Sequence, residues 1–224
     1  MRIKGIVFVL LHIYAIAVFA QPPHVFTQYT AEDGLEQRMI RRIMQDSKGF
    51  LWLATWDGLY RFDGQTFRNY KSHKAGQFPL FIGNRINTIK EDAYGCIWLL
   101  DYNKRISRLN PLTEQITVVS NEDLLVSDFF VQANGHVWLV TENKGLLLAQ
   151  TNDQDLSLHL RDVSKELNIS ASERINAVKL DREGDEWILT DTGIYHYTSN
   201  KGLLIKASSK HRFYDMLETE SGLF

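Results

Sequence analysis

Residues 46–64 read Asp-Ser-Lys-Gly-Phe-Leu-Trp-Leu-Ala-Thr-Trp-Asp-Gly-Leu-Tyr-Arg-Phe-Asp-Gly, and the first seven contain a pattern that recurs along the chain. A Gly-x-x-Trp core appears four times, at Gly49/Trp52, Gly95/Trp98, Gly135/Trp138 and Gly184/Trp187. The glycines are therefore 46, 40 and 49 residues apart, and four of the five tryptophans occupy one equivalent position. Self-similarity at this period indicates a repeat architecture in which each copy is one supersecondary unit.

Each copy predicts four short antiparallel strands. Asp-x-x-Gly favours a tight turn, since Asp accepts backbone N–H bonds at its start and Gly ends it. An apolar and aromatic strand follows at 50–55, then a turn at Trp56-Asp57-Gly58, a third strand at 59–62, a hairpin at Asp63-Gly64 and an outer strand near 66–70. Four strands per period of roughly 40–50 residues are typical of β-propeller blades. We predict an all-β β-propeller with blade cores near 40–70, 86–119, 126–160 and 175–206, and a fifth blade that begins near 213.

Apolar pairs precede each turn by six and three positions, at Ile40/Ile43, Ile86/Ile89, Val126/Phe129 and Ile175/Val178. The repeated glycines and tryptophans are interpreted as structural, with each Trp filling the gap between neighbouring sheets rather than stacking on a ligand. Trp56 differs because it has no counterpart in the other copies and lies in a turn. It is therefore a candidate for contact with a ligand or partner.

Composition excludes several classes of protein. The 224 residues carry 25 Lys+Arg and 27 Asp+Glu, so a net charge of −2 offers no electrostatic footprint for nucleic acid. With 44% hydrophobic and 12% aromatic residues, the chain is too apolar to be disordered. A single cysteine excludes an intrachain disulfide framework and a Cys-based zinc site. Cys96 is expected to be a small core residue beside Trp98.

The first 20 residues are predicted to be a secretory signal peptide. Arg2 and Lys4 precede an almost wholly apolar stretch at 5–20, which ends in small residues ahead of Pro22-Pro23. An uncleaved N-terminal anchor is the alternative. Residues 21–224 are therefore expected to be exported.

Residues 46–64, together with Phe-Thr-Gln-Tyr-Thr-Ala-Glu-Asp-Gly-Leu at 26–35, resemble the two-component regulator propeller repeat family. The resemblance implies the N-terminal periplasmic sensor part of a Bacteroidetes hybrid two-component histidine kinase. In that family tandem propellers precede a small β-sandwich, a membrane helix and a cytoplasmic kinase, and the sensor binds oligosaccharides to control polysaccharide-utilisation genes. It further implies a homodimer of the full-length protein and membrane contact only through parts beyond this segment. Two departures, the missing Gly after Asp101 and Gln132 in place of the turn Asp, are expected to weaken individual turns.

One face of the predicted propeller is the candidate ligand site. Because loops alternate between the two ends of an up-and-down sheet, the turns after each Trp strand share a face with the blade-to-blade links, such as the long link at 71–84. Variable loops on a rigid scaffold commonly carry binding function, and aromatic, amide and charged side chains suit a sugar. Arg85 and Arg174 could reach an acidic sugar. The candidate ligand-binding residues are Trp56, Asp57, Arg85, Tyr102, Asn103, Glu142, Asn143, Arg174 and Asp191; the alternative is that all are solvated loop residues.

No catalytic residue, metal site or cofactor is predicted in this segment. The Asp-x-x-Gly-x-x-Trp pattern is similar to the Asp-box turns of sialidases, which are themselves structural. The seven histidines lack metal-ligand spacing. Three hypotheses therefore stay open: the ligand-binding part of a sensor histidine kinase, a secreted propeller enzyme such as a lyase or glycosidase, and a protein-binding scaffold.

A fifth copy of the core begins at 218–222, where Gly222 falls 38 residues after Gly184. The pattern predicts Trp at position 225. The sequence is therefore expected to be an N-terminal fragment of a longer sensor.

Overall fold

The computed structural model describes residues 26–71, 83–120, 123–142, 144–151, 159–169, 173–198, 201–208, 212–219 and 222–223. The predicted signal peptide lies outside these residues. The described part forms four four-stranded antiparallel sheets in chain order and the first hairpin of a further sheet. This architecture confirms the predicted β-propeller with four blades and the start of a fifth.

The strands of each blade follow one another as a meander, with every neighbour in the sheet also the neighbour in sequence. Their bounds are, for blade 1, β1 Ile40–Gln45, β2 Leu51–Thr55, β3 Gly58–Phe62 and β4 Phe67–Tyr70; for blade 2, β5 Ile86–Glu91, β6 Ile97–Asp101, β7 Ile106–Leu109 and β8 Ile116–Val118; for blade 3, β9 Val126–Val131, β10 His136–Thr141, β11 Leu146–Gln150 and β12 His159–Asp162; for blade 4, β13 Ile175–Leu180, β14 Glu186–Thr190, β15 Gly193–Thr198 and β16 Gly202–Ser208; and for the last hairpin, β17 Glu218–Thr219 and β18 Gly222–Leu223. A 3-10 turn at Ala31–Asp33 precedes β1, and a short helix α1 at Ser164–Leu167 links β12 to β13.

The Asp-x-x-Gly turn joins the first two strands of a blade and also holds the tryptophan. In blade 1, Asp46 Oδ1 accepts hydrogen bonds from the backbone N–H groups of Lys48 and Phe50, at 3.0 and 2.9 Å. Gly49 takes a φ of 90°, a left-handed conformation that glycine adopts without strain. The second oxygen, Asp46 Oδ2, accepts from the indole N–H of Trp52 at 2.8 Å. One carboxylate therefore closes the turn and fixes the side chain six residues later.

The same indole–carboxylate bond recurs in blades 2 and 4, where Trp98 donates to Asp92 at 2.9 Å and Trp187 to Asp181 at 2.8 Å. In blade 2 the buried Arg108 guanidinium also donates to Asp92 Oδ2, at 2.8 Å. The indole N–H reaches the carboxylate because the Trp follows the turn Asp by six residues.

Blade 3 keeps the turn without its aspartate. Gln132 and Gly135 make the turn's backbone bonds, and the Gln132 amide donates across to the Val178 carbonyl of blade 4 at 2.9 Å. The acceptor for the Trp138 indole is Glu186 of blade 4, at 2.7 Å, whose other oxygen lies 2.8 Å from His136 Nδ1. The departure at Gln132 therefore changes the source of the acceptor, while the turn itself remains.

Each of the first three tryptophans is fully buried between its own blade and the first strand of the next blade. Trp52 packs in one cluster with Ile86 and Ile89. The equivalent clusters contain Trp98 with Val126 and Phe129, and Trp138 with Ile175 and Val178. Interblade packing thus supplies most of the hydrophobic core, since each sheet buries apolar side chains against the next one.

The apolar pair of blade 1 differs from its three counterparts. Ile43 is 63% exposed, whereas Ile89 at the equivalent position of blade 2 is 5% exposed. Among the residues that the structure describes, no blade packs over this side of β1. The repeated pattern therefore marks a position that can be buried, and the neighbouring sheet decides whether it is.

We expect Glu186→Ala to lower the free energy of unfolding by about 3 kcal/mol, because two buried polar groups lose their acceptor and each such loss costs about 1–3 kcal/mol. Adding Gln132→Asp should recover part of this loss, since it restores the local acceptor that the other blades use. Chemical denaturation measures both effects. Glu183→Ala, an exposed acid in the neighbouring turn, is the control and should stay within about 0.5 kcal/mol of wild type. No recovery in the double variant would show that an aspartate at position 132 does not serve as the acceptor for the Trp138 indole.

The two isoleucine positions should respond very differently to the same substitution. Ile89→Ala is expected to cost about 2–5 kcal/mol because it leaves a cavity between blades 1 and 2. Ile43→Ala should cost less than about 0.5 kcal/mol, as is usual for exposed sites. Equal losses in urea denaturation would mean that β1 is covered in solution.

Candidate functional site

In each blade the tryptophan lies in the second strand. The turn after this strand and the segment that leads into the first strand meet at one edge of the blades, here called the variable edge. A repeated backbone bond brings them together in blades 2, 3 and 4. Its donors and acceptors are Tyr102 N to Arg85 O at 2.8 Å, Glu142 N to Leu125 O at 3.0 Å and Asp191 N to Arg174 O at 3.1 Å. Side chains far apart in sequence are therefore neighbours at this edge.

Three of the predicted ligand-binding residues form an aromatic–arginine cluster, defined by Trp56, Arg85 and Tyr102. The Arg85 guanidinium carbon lies 5.3 Å from the ring centroid of Trp56 and 5.8 Å from that of Tyr102. Trp56 is 42% and Tyr102 61% exposed, and Arg85 is exposed as well. The cluster thus presents two aromatic rings and a cation to solvent at the boundary of blades 1 and 2.

Asp57 lies next to this cluster but its carboxylate is engaged by the Lys71 ammonium. The hydrogen bond to Asp57 raises the pKa of Lys71 above its usual value. The Asp57 charge is therefore largely compensated by lysine, and Arg85 supplies the positive character of the cluster.

Asn103 follows Tyr102 in the sequence and lies beside Gly83, two residues before Arg85. A Cβ at Gly83 would lie 3.4 Å from Asn103 Nδ2 and only 2.7 Å from Asp101 Oδ2. Asp101 is 5% exposed, and burial raises the pKa of its carboxyl above the usual value. Sequence reasoning placed Asp101 at this edge without giving it a role.

Three of the remaining candidates lie near a 460 Å³ cavity between blades 3 and 4. Arg174 and Glu142 line the cavity, with Glu142 paired to the Lys104 ammonium of blade 2. Asp191 adjoins it and accepts a 2.9 Å bond from the amide of Asn176, which is also a lining residue. Asn143 lies outside the described residues. The eight candidates that the structure describes therefore divide into two groups, one at each of two blade boundaries.

Sequence patterns missed several polar residues around this cavity and the inner strands. Glu173, one residue before Arg174, accepts from the Tyr195 hydroxyl at 3.1 Å and also from two threonine hydroxyls. The Lys90 amine donates to the Phe129 carbonyl, and burial lowers its pKa. No motif marks these residues, because their partners are distant in sequence, 17 to 22 residues from Glu173 and 39 residues from Lys90.

The described residues contain one group with metal-like composition, formed by Asp181, Asp185 and His196, whose ligand atoms lie within 4.8 Å of one another. The Asp181 carboxylate already accepts from two backbone N–H groups and the Trp187 indole. His196 stacks on the Trp187 ring, with centroids 4.1 Å apart. The turn and the tryptophan thus account for this arrangement.

Comparison with known proteins identifies the repeat. Residues 34–57 match the family described as two component regulator propeller. The chain contains a two component regulator propeller repeat. The matched stretch ends at Asp57, so it includes the first Asp-x-x-Gly turn, Trp52 and Trp56 of the aromatic–arginine cluster.

A curated relative and two solved structures extend this propeller assignment. Over 75 residues the chain is 43% identical to a protein named Histidine kinase P4 from Formosa agariphila, which is 33% of this chain and 6% of the relative. The extracellular domain of a putative hybrid two component system from B. thetaiotaomicron matches with a TM-score of 0.50 and 19% identity, over 88% of this chain and 33% of that one. A gluconolactonase from Xanthomonas campestris matches with a TM-score of 0.51 and 16% identity, over 81% of this chain and 67% of that one. At these identities the two structures show the fold alone.

Within the described part of the propeller, no helix combines the length and the apolar character needed to cross a membrane.

Trp56 should be the tryptophan that aqueous quenchers reach most readily, since Trp52, Trp98 and Trp138 are fully buried and Trp187 is partly covered. We expect iodide to quench its fluorescence more than caesium does, because the Arg85 guanidinium attracts anions. Stern–Volmer titration of Trp56→Phe should show most of the iodide-sensitive emission lost. Trp187→Phe is the matched control, and an equal loss there would contradict the exposed position of Trp56.

Proposed function

We propose that this two component regulator propeller is the exported, ligand-binding part of a sensor histidine kinase, and that its ligand is an oligosaccharide whose presence controls polysaccharide-utilisation genes. The family match and the 43% identity to a histidine kinase support the sensor class. The aligned stretch covers a small part of that relative, so kinase activity and dimerisation of the full-length protein belong to the same proposal.

The aromatic–arginine cluster is the observation that carries the choice of ligand. Exposed aromatic rings offer faces on which the C–H surface of a sugar ring can stack, and an apolar body with nearby polar groups suits such a ligand. Arg85 adds five hydrogen-bond donors in a fixed fork, which suit the hydroxyl or carboxylate oxygens of a saccharide. The same three residues on a rigid blade boundary would also lose little conformational entropy on binding.

Blade contacts give the cluster this rigidity. The Tyr102 N–H to Arg85 carbonyl bond ties the turn after β6 to the segment before β5, and the Gly58 N–H donates to the Asn84 carbonyl at 2.8 Å. The second bond crosses from blade 1 to blade 2. Ligand binding at this boundary therefore contacts two blades at once, which suits a site that must report occupancy to the rest of the protein.

Trp56→Ala, Tyr102→Ala and Arg85→Ala should each weaken binding about tenfold or more, which corresponds to the roughly 1.4 kcal/mol expected of a central interface residue. The test is isothermal titration calorimetry with oligosaccharides made by partial hydrolysis of neutral and uronic-acid polysaccharides. Tyr94→Ala is the matched control, since Tyr94 is also 42% exposed but lies in the Asp-x-x-Gly turn of blade 2, at the opposite edge.

Two results would contradict the proposal. If wild type binds none of these oligosaccharides, the ligand class is wrong. If Tyr94→Ala and the cluster variants lose affinity equally, the site lies elsewhere.

A further inference from the structure

The first strand of each of the four blades carries a β-bulge near its start. In blade 1 the register with β2 shifts between Ile40 and Arg42, so Arg41 has no residue opposite it. The same shift occurs at the same position in blades 2, 3 and 4. The extra residues are Arg41, Asn87, Ser127 and Asn176, all of them polar. A bulge changes the direction of the extra side chain, and bulges are frequent next to functional sites.

Three of the four extra residues line one cavity, here called the bulge cavity. It has a volume of 500 Å³, and its polar lining residues are Arg41, Arg42, Asn87, Thr88 and Ser127. Each of these is the second or third residue of the first strand of blade 1, 2 or 3. The bulge cavity therefore lies at the variable edge, where the first strands of three blades converge.

The charges around the bulge cavity are all positive. Among the described residues that line it, Arg41 and Arg42 are charged and none is acidic. In the described part of the chain the Arg42 guanidinium donates only to the Arg41 carbonyl, at 3.5 Å, and neither arginine pairs with a carboxylate. Both side chains are exposed, so a solute can reach them.

Hydrogen bonding separates the bulge residues of blades 1 and 2 from those of blades 3 and 4. The Ser127 hydroxyl donates to a backbone carbonyl at 3.1 Å, and the Asn176 amide donates to a carboxylate at 2.9 Å and to a carbonyl at 2.8 Å. Within the residues that the structure describes, the Arg41 guanidinium and the Asn87 amide donate to no partner. Unused donors are thus concentrated at the bulge cavity.

The two arginines that the sequence suggested for an acidic sugar have different surroundings. Arg174 shares its cavity with Glu142 and Glu173, whose negative charges repel an anion. Arg85 lies against the two rings of the aromatic–arginine cluster. Arg41 instead lines a cavity with a second cation, so the electrostatic attraction for an anion is strongest there.

We propose that the bulge cavity binds the anionic group of an acidic saccharide, and that Arg41 pairs with this group. The inference rests on the proposed function and deepens it, since it names a uronic acid or a sulfate ester as the chemical class of the ligand. A guanidinium group binds an oxyanion through two parallel charge-assisted hydrogen bonds, and the Asn87 amide adds neutral donors. Asn87 follows Arg85 by two residues, so their Cα atoms are at most about 7 Å apart. One oligosaccharide can therefore contact the aromatic–arginine cluster and the bulge cavity together.

Arg41→Gln tests the inference by isothermal titration calorimetry. Wild type should bind uronic-acid or sulfated oligosaccharides about tenfold or more tightly than neutral ones of equal length, because hydrogen bonds between charged groups are the strong ones. Arg41→Gln should remove most of this preference and change the affinity for neutral oligosaccharides less than about twofold. Arg38→Gln is the matched control, since Arg38 is also exposed but is not among the lining residues. Separate titrations with the uronic-acid and the sulfated probes identify which oxyanion is bound.

A second variant and two further readouts exclude a merely structural role. Asn87→Ser gives blade 2 the bulge residue of blade 3 and removes the amide donors, so it should weaken acidic ligands about threefold or more. Both variants should keep the melting temperature within about 2 °C of wild type, as is usual for side chains that make no hydrogen bond in the folded protein. Added salt should weaken the acidic ligands and leave the neutral ones unchanged.

The outcomes distinguish this inference from the proposed function. Wild type that binds neutral oligosaccharides as tightly as acidic ones would overturn the inference and leave the proposed function standing. Equal losses in Arg41→Gln and Arg38→Gln, or a loss in Arg85→Ala without one in Arg41→Gln, would also overturn the role of the bulge cavity alone. Wild type that binds no oligosaccharide of any kind would refute the proposed function, and the inference with it.

Discussion

The hydrogen bond between the indole N–H of the repeated tryptophan and a carboxylate is the interaction on which the propeller depends. It combines two requirements of a blade, because the acceptor that closes the first turn also fixes the ring that fills the gap to the next sheet. In blade 1 both oxygens of Asp46 are used in this way. A blade with an unanchored ring would leave a polar N–H inside an apolar interface, where it costs stability.

Blade 3 shows that the chemistry of this bond matters more than its local source. Trp138 donates to Glu186, which belongs to the next blade and also contacts His136. The result is a polar link across the interface of blades 3 and 4, in addition to the apolar cluster between them. The aspartate that blade 3 lacks at position 132 is thus replaced by Glu186, 54 positions later in the sequence, which accepts from Trp138 across the interface with blade 4.

A scaffold anchored in this way leaves the variable edge free to differ from blade to blade. The backbone bond that follows each Trp strand is the same in blades 2, 3 and 4, while the side chains at its donors are Tyr102, Glu142 and Asp191. The threonine that ends the strand is part of this shared scaffold, and blade 2 alone replaces it, by Asp101. Departures from a repeat are informative where the shared positions are already satisfied, because the departing residue then needs another explanation.

The sequence by itself determined the period, the strand order within a blade and the turn chemistry, because these follow from local patterns of Asp, Gly, Trp and alternating apolar residues. It also indicated the edge at which Trp56, Arg85 and Tyr102 lie. Only the tertiary structure decided that these three meet while Glu142 and Arg174 line a separate cavity, that Lys71 engages Asp57, and that Ile43 is exposed. It alone revealed that one oxygen of the buried Asp101 carboxylate has no hydrogen-bond partner among the described residues. The reason is that burial and hydrogen-bond satisfaction are set by neighbours from other blades, tens of residues away, and no local pattern records which side chains those neighbours present.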